Sequence, residues 1–153
     1  MRTPRDLAAV TAGAVLLVNL VAEHFLFSRR LSGGVLIPGL LDFHPAWNRG
    51  VSFSLLWQDS RTGSWLLVAG LVVIIIILGA IAWRSRDWLG ACGLGLVIGG
   101  ALGNLYDRLA YDLAVFDFLF LHLGRTPLFV CNIADIAITA GALCLIAESL
   151  RRA

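Results

Sequence analysis

Four long apolar stretches dominate the chain, and shorter segments rich in charged residues, glycine and proline separate them. A helix needs roughly 20 mostly apolar residues to cross a hydrocarbon core. The stretches that meet this length predict transmembrane spans at about 7–27, 64–83, 88–105 and 128–150. The second is the most uniform, and it carries Trp65 and Trp83 at its ends, where aromatic belt residues are expected.

The polar segment from 28 to 63 interrupts this pattern, and its breakers are Gly33, Gly34, Pro38, Gly39, Pro45 and Gly50. Its short apolar runs, Val35–Ile37 and Leu40–Phe43, predict small strands outside the membrane rather than another helix. The predicted fold class is therefore an all-α membrane protein, a bundle of four transmembrane helices with an extramembrane segment between spans 1 and 2. At 153 residues, we expect one domain covering 1–153.

Composition supports this interpretation and excludes other classes. Hydrophobic residues make up 59% of the chain and charged residues only 14%, which is typical of a membrane protein rather than a soluble domain. The net charge is only +2 with no basic stripe, so a nucleic-acid partner is not expected. Three cysteines, Cys92, Cys131 and Cys144, form no CxxC pattern and are predicted to be buried small apolar residues.

Polar residues inside the spans indicate which helix faces look inward. Asn19, Glu23 and His24 are predicted to share one face of the first span, directed into the bundle, with His24 and Glu23 forming a satisfied pair. The third span has Gly95, Gly99 and Gly103 at small-xxx-small spacing. This ridge predicts close packing against another helix.

Three acids lie in or beside apolar segments: Asp107, Asp117 and Asp135. A charged group in hydrocarbon costs roughly 2.5–3.5 kcal/mol on insertion scales, so it is tolerated mainly toward a protein interior or a watery cavity. Intramembrane acids are therefore candidates for a functional site. Asp112 lies in a connecting loop and is expected to be solvated.

Four sequence blocks together resemble the lipoprotein signal peptidases, the type II signal peptidases of bacteria. They are GGALGNLYDRL at 99–109, FDF at 116–118, NIADIAI at 132–138 and WNRGVSF at 47–53. The resemblance implies an integral-membrane aspartyl endopeptidase that cuts prolipoproteins before a lipid-modified cysteine. It also implies a small β platform with an interfacial helix between spans 1 and 2.

The resemblance also implies roles for particular residues. Two acids, Asp117 and Asp135, would activate a water molecule as a pair sharing one proton. The matching blocks offer six further residues for substrate binding or support: Asn48, Gly50, Asn104, Asp107, Arg108 and Asn132. For the last four the alternative is local capping or an interfacial salt bridge, and for the block with Asn48 and Gly50 it is an ordinary connecting loop. Arg108 could fix a substrate carbonyl, with Asp107 offsetting its charge. No metal or organic cofactor is implied.

The chain departs from the family pattern in its first span. Members usually carry Asp-Gln-x-x-Lys, whereas Asn19 to Glu23 reads NLVAE here, so an amide replaces the acid and an acid replaces the base. Cys131 stands where phenylalanine is usual, and Ile136 where serine is common. Two alternatives stay open: a catalytically altered lipoprotein-binding paralogue, and a small proton- or ion-coupled transporter that uses the acids as a relay.

Location follows from the arginines. Those in the shortest segments, at the two termini and between spans 2 and 3, favour both termini in the cytoplasm. The candidate site would then lie near the outer face of the bacterial inner membrane. The expected partners are diacylglyceryl-modified prolipoprotein substrates and membrane lipid, and the protein is expected to be a monomer.

Overall fold

The structure is a computed structural model that describes residues 3–29, 32–50 and 60–152. Along the chain the elements are α1 Pro4–Arg29, β1 Gly34–Ile37, β2 Leu41–Asn48, α2 Arg61–Arg84, α3 Trp88–Ala110, β3 Val115–Leu123, β4 Thr126–Cys131 and α4 Ile133–Arg152. All four helices are long and apolar enough to cross a membrane. The predicted architecture, four spans with a small antiparallel sheet, is confirmed.

Polar caps fix where two of the helices begin. Ser60 accepts a hydrogen bond from the Gly63 N–H at 3.1 Å at the start of α2. Asp87 accepts one from the Gly90 N–H at 2.7 Å at the start of α3. Each cap satisfies one of the amide groups that the first helical turn leaves without a partner. The Asp87 cap therefore starts α3 directly after the short Ser85–Asp87 connection from α2.

Helix α3 is the centre of the bundle. Half of its apolar window is buried, against 11–17% in the other helices. A Cβ added at Gly95 would lie 2.6 Å from the Ala8 carbonyl oxygen, and one at Gly99 would lie 2.7 Å from that of Ala12. The glycine ridge therefore allows α1 to approach α3 backbone to backbone, as predicted.

The sheet is larger than predicted. Its four strands are antiparallel in the order β1-β2-β3-β4, and β3 and β4 come from between α3 and α4. The prediction that the fourth span begins at about 128 is wrong, because Thr126–Cys131 is a strand and α4 begins at Ile133. A short apolar run such as Leu128–Val130 suits a strand as well as a helix, so periodicity did not separate the two.

The end of the third span also differs from the prediction. Helix α3 continues past 105 to Ala110, because Asp107 and Arg108 are buried within it rather than ending it. The sheet packs on the bundle through an aromatic cluster of Phe43, Phe116 and Phe118. The end of the WNRGVSF block, 51–53, lies outside the described residues, as does any interfacial helix in 51–59.

The prediction for the first span holds for two of its three polar residues. Asn19 is fully buried and Glu23 is 1% exposed, so both face the bundle. His24 is exposed, and the prediction that it shares their face and pairs with Glu23 is wrong. A helix turns about 100° per residue, so His24 lies roughly 140° around the helix from Asn19. Glu23 accepts its hydrogen bond from Asn19 instead.

Candidate active site

Asp117 lies near the start of β3, between two buried phenylalanines, and its side chain is itself buried. The Asn48 amide, at the end of the neighbouring strand β2, donates to Asp117 Oδ2 at 3.0 Å. The register of the two strands places Asn48 opposite Val115 and Ala46 opposite Asp117, so the amide reaches diagonally along the sheet. Pairing of β2 with β3 thus joins two residues 69 positions apart in the chain.

Burial raises the pKa of Asp117 from its ordinary 3.8 to about 7. The hydrogen bond from Asn48 and the Arg108 charge act in the opposite direction, while the carboxylates of Asp135 and Asp107 raise the pKa further. Opposing causes of this kind are typical of functional sites. Asp117 can therefore gain and lose a proton close to neutral pH.

Asp135 lies in the first turn of α4, where two asparagines hold it. Asn132 accepts the Asp135 N–H at 2.9 Å through its side-chain oxygen. Asn104, on α3, donates to Asp135 Oδ1 at 3.1 Å and accepts from Asn132 Nδ2 at 3.0 Å. The start of a helix also favours negative charge. This triangle of side chains fixes one carboxyl oxygen of Asp135 against α3.

One backbone position links the two acids. The Phe116 carbonyl, directly before Asp117, accepts from Asn132 Nδ2 at 3.4 Å, and its N–H donates to Asp107 Oδ2 at 3.0 Å. The peptide groups on both sides of Phe116 are therefore bonded to side chains of other elements. The network fixes the direction in which the Asp117 side chain leaves the strand.

Arg108 and Gly50 support the same site through hydrogen bonds to its backbone and to Asn48. Arg108 is 6% exposed and donates to the carbonyl oxygens of Leu113, at 3.0 Å, and Gly50. The Gly50 N–H in turn donates to Asn48 Oδ1 at 2.8 Å, which orients the amide toward Asp117. In this structure Arg108 thus bonds carbonyls of its own chain, whereas sequence reasoning assigned it to a substrate carbonyl.

The turn between α3 and β3 is strained where it meets this network. Asp112 and Leu113 have φ of 48° and 64°, in the left-handed region that costs most residues roughly 1–2 kcal/mol. Arg108 bonds the Leu113 carbonyl and holds the turn in place. Asp112 is exposed as predicted, and it forms a surface ion pair with Arg49 at 3.1 Å.

The bonded residues continue into the first span, whose contact with Asp107 was not predicted from the sequence. Glu23 Oε1 accepts from Asn19 Nδ2 at 2.6 Å, and the Glu23 carboxyl lies within interaction range of Asp107. An acid and an amide four residues apart on an inward helix face were the available signal. The sequence does not show that packing of α1 on α3 places Glu23 beside Asp107.

Cys131, the last residue of β4, lies beside both acids. Burial raises the pKa of its thiol to about 12, and the Asp135 and Asp117 charges add to the effect. It is therefore a neutral thiol. Cys131 is buried as predicted, whereas Cys92 and Cys144 are only half-buried. Among the residues in 3–29, 32–50 and 60–152, no group of three or more His, Cys, Asp or Glu side chains is placed to hold a metal ion.

An apolar groove of about 640 Å³ runs from the sheet to α4 and includes Asp135 in its lining. Its sheet side is formed by Leu119, Leu121 and Cys131, and its helix side includes Ile136 and Leu143. The last two are exposed, so the groove is open on the surface that α4 presents outward. An extended apolar segment could enter here and reach the acid.

Comparisons with known proteins show the family of this chain. A family model described as signal peptidase (SPase) II matches residues 8–151. A lipoprotein signal peptidase of Nitrobacter hamburgensis is 36% identical over 157 residues, covering 98% of this chain and 95% of that protein. One of Methylorubrum extorquens is 50% identical over 114 residues, covering 73% of this chain. The match spans only 65% of that relative's length.

Solved structures give the same fold. Two structures titled as bacterial membrane enzymes solved by the in meso method align with TM-scores of 0.79 and 0.75. They are 20% and 21% identical, cover 95% and 94% of this chain, and are themselves covered to 94% and 87%. Identity at this level supports the fold alone, whereas the family model and the Nitrobacter relative cover nearly the whole chain. The chain therefore belongs to the lipoprotein signal peptidase family, the type II signal peptidases.

Proposed function

We propose that this protein is a membrane aspartyl endopeptidase that removes signal peptides from prolipoproteins, cutting before the lipid-modified cysteine. Water would be activated between Asp117 and Asp135. The observation that carries the proposal is that the groups holding these two acids meet at the start of β3. Asn48 donates to Asp117, and Asn132, which with Asn104 holds Asp135 on α4, donates to the carbonyl of Phe116, the residue before Asp117. Asp135 also acts electrostatically on Asp117.

The two acids have different surroundings, which suggests different roles. Asp117 is buried with a pKa of about 7, so it carries the proton at rest and serves as the general acid. Asp135 accepts a hydrogen bond from Asn104 and lies in the lining of the groove, so it serves as the general base. This division matches two carboxyl groups that share one proton.

The reaction balances within this pair. Asp135 accepts a proton from water as the water oxygen bonds to the scissile carbonyl carbon, and Asp117 donates its proton to the carbonyl oxygen. The tetrahedral intermediate then collapses, the C–N bond breaks, and the proton on Asp135 goes to the leaving amine. The intermediate's hydroxyl proton returns to Asp117. Each acid regains its starting state without a metal or organic cofactor.

The apolar groove suits the substrate class. A signal peptide is largely apolar, and a diacylglyceryl group is more so; both can reach the groove laterally from the bilayer. Sheet residues Leu119 and Leu121 and helix residue Leu143 would contact apolar parts of the substrate. Asp135, in the same lining, would then meet the peptide bond at the groove's polar end.

We further propose that the protein is a monomer of the bacterial inner membrane, in contact with its lipids. Both termini would be cytoplasmic, with the site near the outer face. The site acids and asparagines gather at one end of the bundle, where α3 ends and α4 begins. That position suits cleavage at the membrane surface better than relay of an ion through the bundle.

Processing of a lipid-modified prolipoprotein reporter by the purified protein in detergent tests the proposal. We expect Asp117→Asn and Asp135→Asn each to slow cleavage about 1,000-fold or more, since each removes a proton-transfer group. Asp112→Asn is the matched control, because Asp112 is an exposed aspartate outside the network.

The results separate the proposal from its rivals. An inactive wild type that still binds the reporter would indicate a lipoprotein-binding paralogue. Proton- or ion-dependent flux through liposomes containing the protein, with no cleavage, would indicate a transporter. Normal processing by both aspartate variants would overturn the dyad.

A further inference from the structure

A second pair of acids is buried beneath the proposed dyad and has no part in the reaction above. Glu23 of α1 is 1% exposed, and Asp107 of α3 is fully buried. Each has one carboxyl oxygen with a partner: Glu23 Oε1 accepts from Asn19, and Asp107 Oδ2 accepts from the Phe116 N–H. The two carboxyl groups are close enough to interact directly.

The other carboxyl oxygen of each acid is an acceptor without a donor. Glu23 Oε2 and Asp107 Oδ1 are both buried and have no hydrogen-bond donor among the described residues. A buried acceptor without a donor costs about 1–3 kcal/mol, and a charged one costs more. Neither carboxylate can supply a donor while both are ionised. One proton between them would satisfy both oxygens and remove the repulsion between two negative charges.

The surroundings indicate which acid keeps the proton. Each acid accepts one hydrogen bond from a neutral N–H donor, but Asp107 also lies near the Arg108 guanidinium, so the negative charge is better placed on Asp107 than on Glu23. Among the described residues, the other titratable groups that interact with this pair are Asp135 of α4, Asp117 of β3 and Tyr111, which follows α3. Arg108 is the single cation among them, and it already donates to the Gly50 and Leu113 carbonyls.

We propose that Glu23 is a neutral carboxylic acid that donates a hydrogen bond to the Asp107 carboxylate, and that this bond makes Glu23 a positioning residue for Asp117. The Asp107 carboxylate holds the Phe116 N–H, and Asp117 follows Phe116 in the chain. A proton on Glu23 therefore fixes Asp107 and, through it, the start of β3. The positioning half of this inference rests on the proposed dyad, while the shared proton does not.

Infrared spectroscopy tests the proton directly. The C=O stretch of a neutral carboxylic acid is separate from that of a carboxylate. Asp117 is replaced by Asn in the starting protein so that its own proton does not contribute. At about pH 7.5, we expect Asp117→Asn to show a neutral-acid band that is lost in Asp117→Asn/Glu23→Gln and kept in Asp117→Asn/Glu148→Gln. An unchanged band in the Glu23 variant would overturn the shared proton.

Reporter cleavage tests the positioning role in the otherwise wild-type chain. Glutamine at position 23 can donate from its amide to Asp107, so we expect Glu23→Gln to keep activity within about threefold. Glu23→Ala leaves Asp107 without a donor, and we expect cleavage to fall at least about tenfold. Full activity of Glu23→Ala would contradict the positioning role. Thermal unfolding checks that both variants are folded. Equal losses of cleavage activity in two folded variants would contradict the need for a neutral donor at position 23.

Failure of this inference is distinguishable from failure of the proposed function. The infrared band is read in an Asp117 variant, so it does not depend on cleavage. If the band behaves as expected and Asp117→Asn still processes the reporter, the dyad is wrong and the shared proton remains.

Discussion

At the scale of single residues, the site is a set of amides that hold two carboxyl groups. Asn48, Asn104 and Asn132 each contribute both a donor and an acceptor, so each amide joins two parts of the network. Aspartate or leucine has the size of asparagine but lacks one or both of these functions. The residue type is therefore fixed by bonding on both sides of the amide.

The pKa of Asp117 gives a prediction about stability. Folding raises this pKa from 3.8 to about 7, so between these values the folded protein holds a proton that the unfolded chain has lost. The free energy of unfolding should therefore fall as pH rises through this window and level off above it. Replacing Asp117 by asparagine removes the titration. We expect Asp117→Asn to be more stable than wild type by roughly 2–4 kcal/mol near pH 8.

Thermal unfolding in detergent at about pH 4 and about pH 8 measures this effect. The difference between Asp117→Asn and wild type should be small at the lower pH and large at the higher one. Asp112→Asn, at an exposed position, should show no such change. A stability difference that is the same at both pH values would contradict burial as the cause of the raised pKa.

The family resemblance named eight candidate residues but not their bonding. All eight take part in the hydrogen bonds around Asp117 and Asp135, and their roles in catalysis and binding stay predictions. Arg108 was assigned to substrate, yet its bonds go to the Gly50 and Leu113 carbonyls. The central connector is the Phe116 backbone, which no side-chain pattern can indicate.

At the scale of elements, the contact between α3 and α4 sets the geometry of Asp135. A Cβ at Gly100 would collide with the Ala134 carbonyl and lie 2.7 Å from Ile138. Asn104, one turn further along α3, donates to Asp135, the residue after Ala134. Close approach of these two helices at Gly100 therefore brings the amide within reach of the acid.

Gly100→Ala tests this contact. We expect α4 to be displaced, with a loss of stability of about 1–3 kcal/mol from overpacking. Reporter cleavage should fall as the bond from Asn104 to Asp135 lengthens. Gly70→Ala is the matched control, since an added Cβ there meets nothing within 4 Å. Thermal unfolding and cleavage measure both effects, and equal behaviour of the two variants would contradict the role of the contact.

The sequence predicted an element correctly where its apolar stretch was long, and the prediction was wrong where the stretch was short. The uniform apolar run of α2 was placed within a few residues of its bounds. The strand Thr126–Cys131 was assigned to the fourth span, because six apolar-rich residues do not distinguish strand from helix. Its identity depends on pairing with β3, which is a property of the folded sheet.

At the scale of the whole molecule, the sheet and the site lie at one end of a bundle whose other connection is the short turn before α3. The proposed orientation places that turn in the cytoplasm and the sheet outside. A cysteine introduced at one exposed position at a time can test this orientation. Arg86→Cys places it in the turn before α3, and Leu123→Cys places it at the β3–β4 turn.

A membrane-impermeant maleimide applied to spheroplasts should label Leu123→Cys, and it should label Arg86→Cys only after permeabilisation. The wild-type chain is the control, because Cys131 is buried and Cys92 and Cys144 are half-buried. Labelling in the reverse order would place the site on the cytoplasmic side and contradict cleavage at the outer face.

The direct test of the central claim is the residual cleavage rate of Asp117→Asn/Asp135→Asn beside the two single variants. Two acids that share one proton act as a unit, so losing either removes the function of both. We predict that the double variant is no more than a few-fold slower than each single variant. A double variant slowed by the product of the two separate losses would show that the acids act independently, which contradicts the dyad.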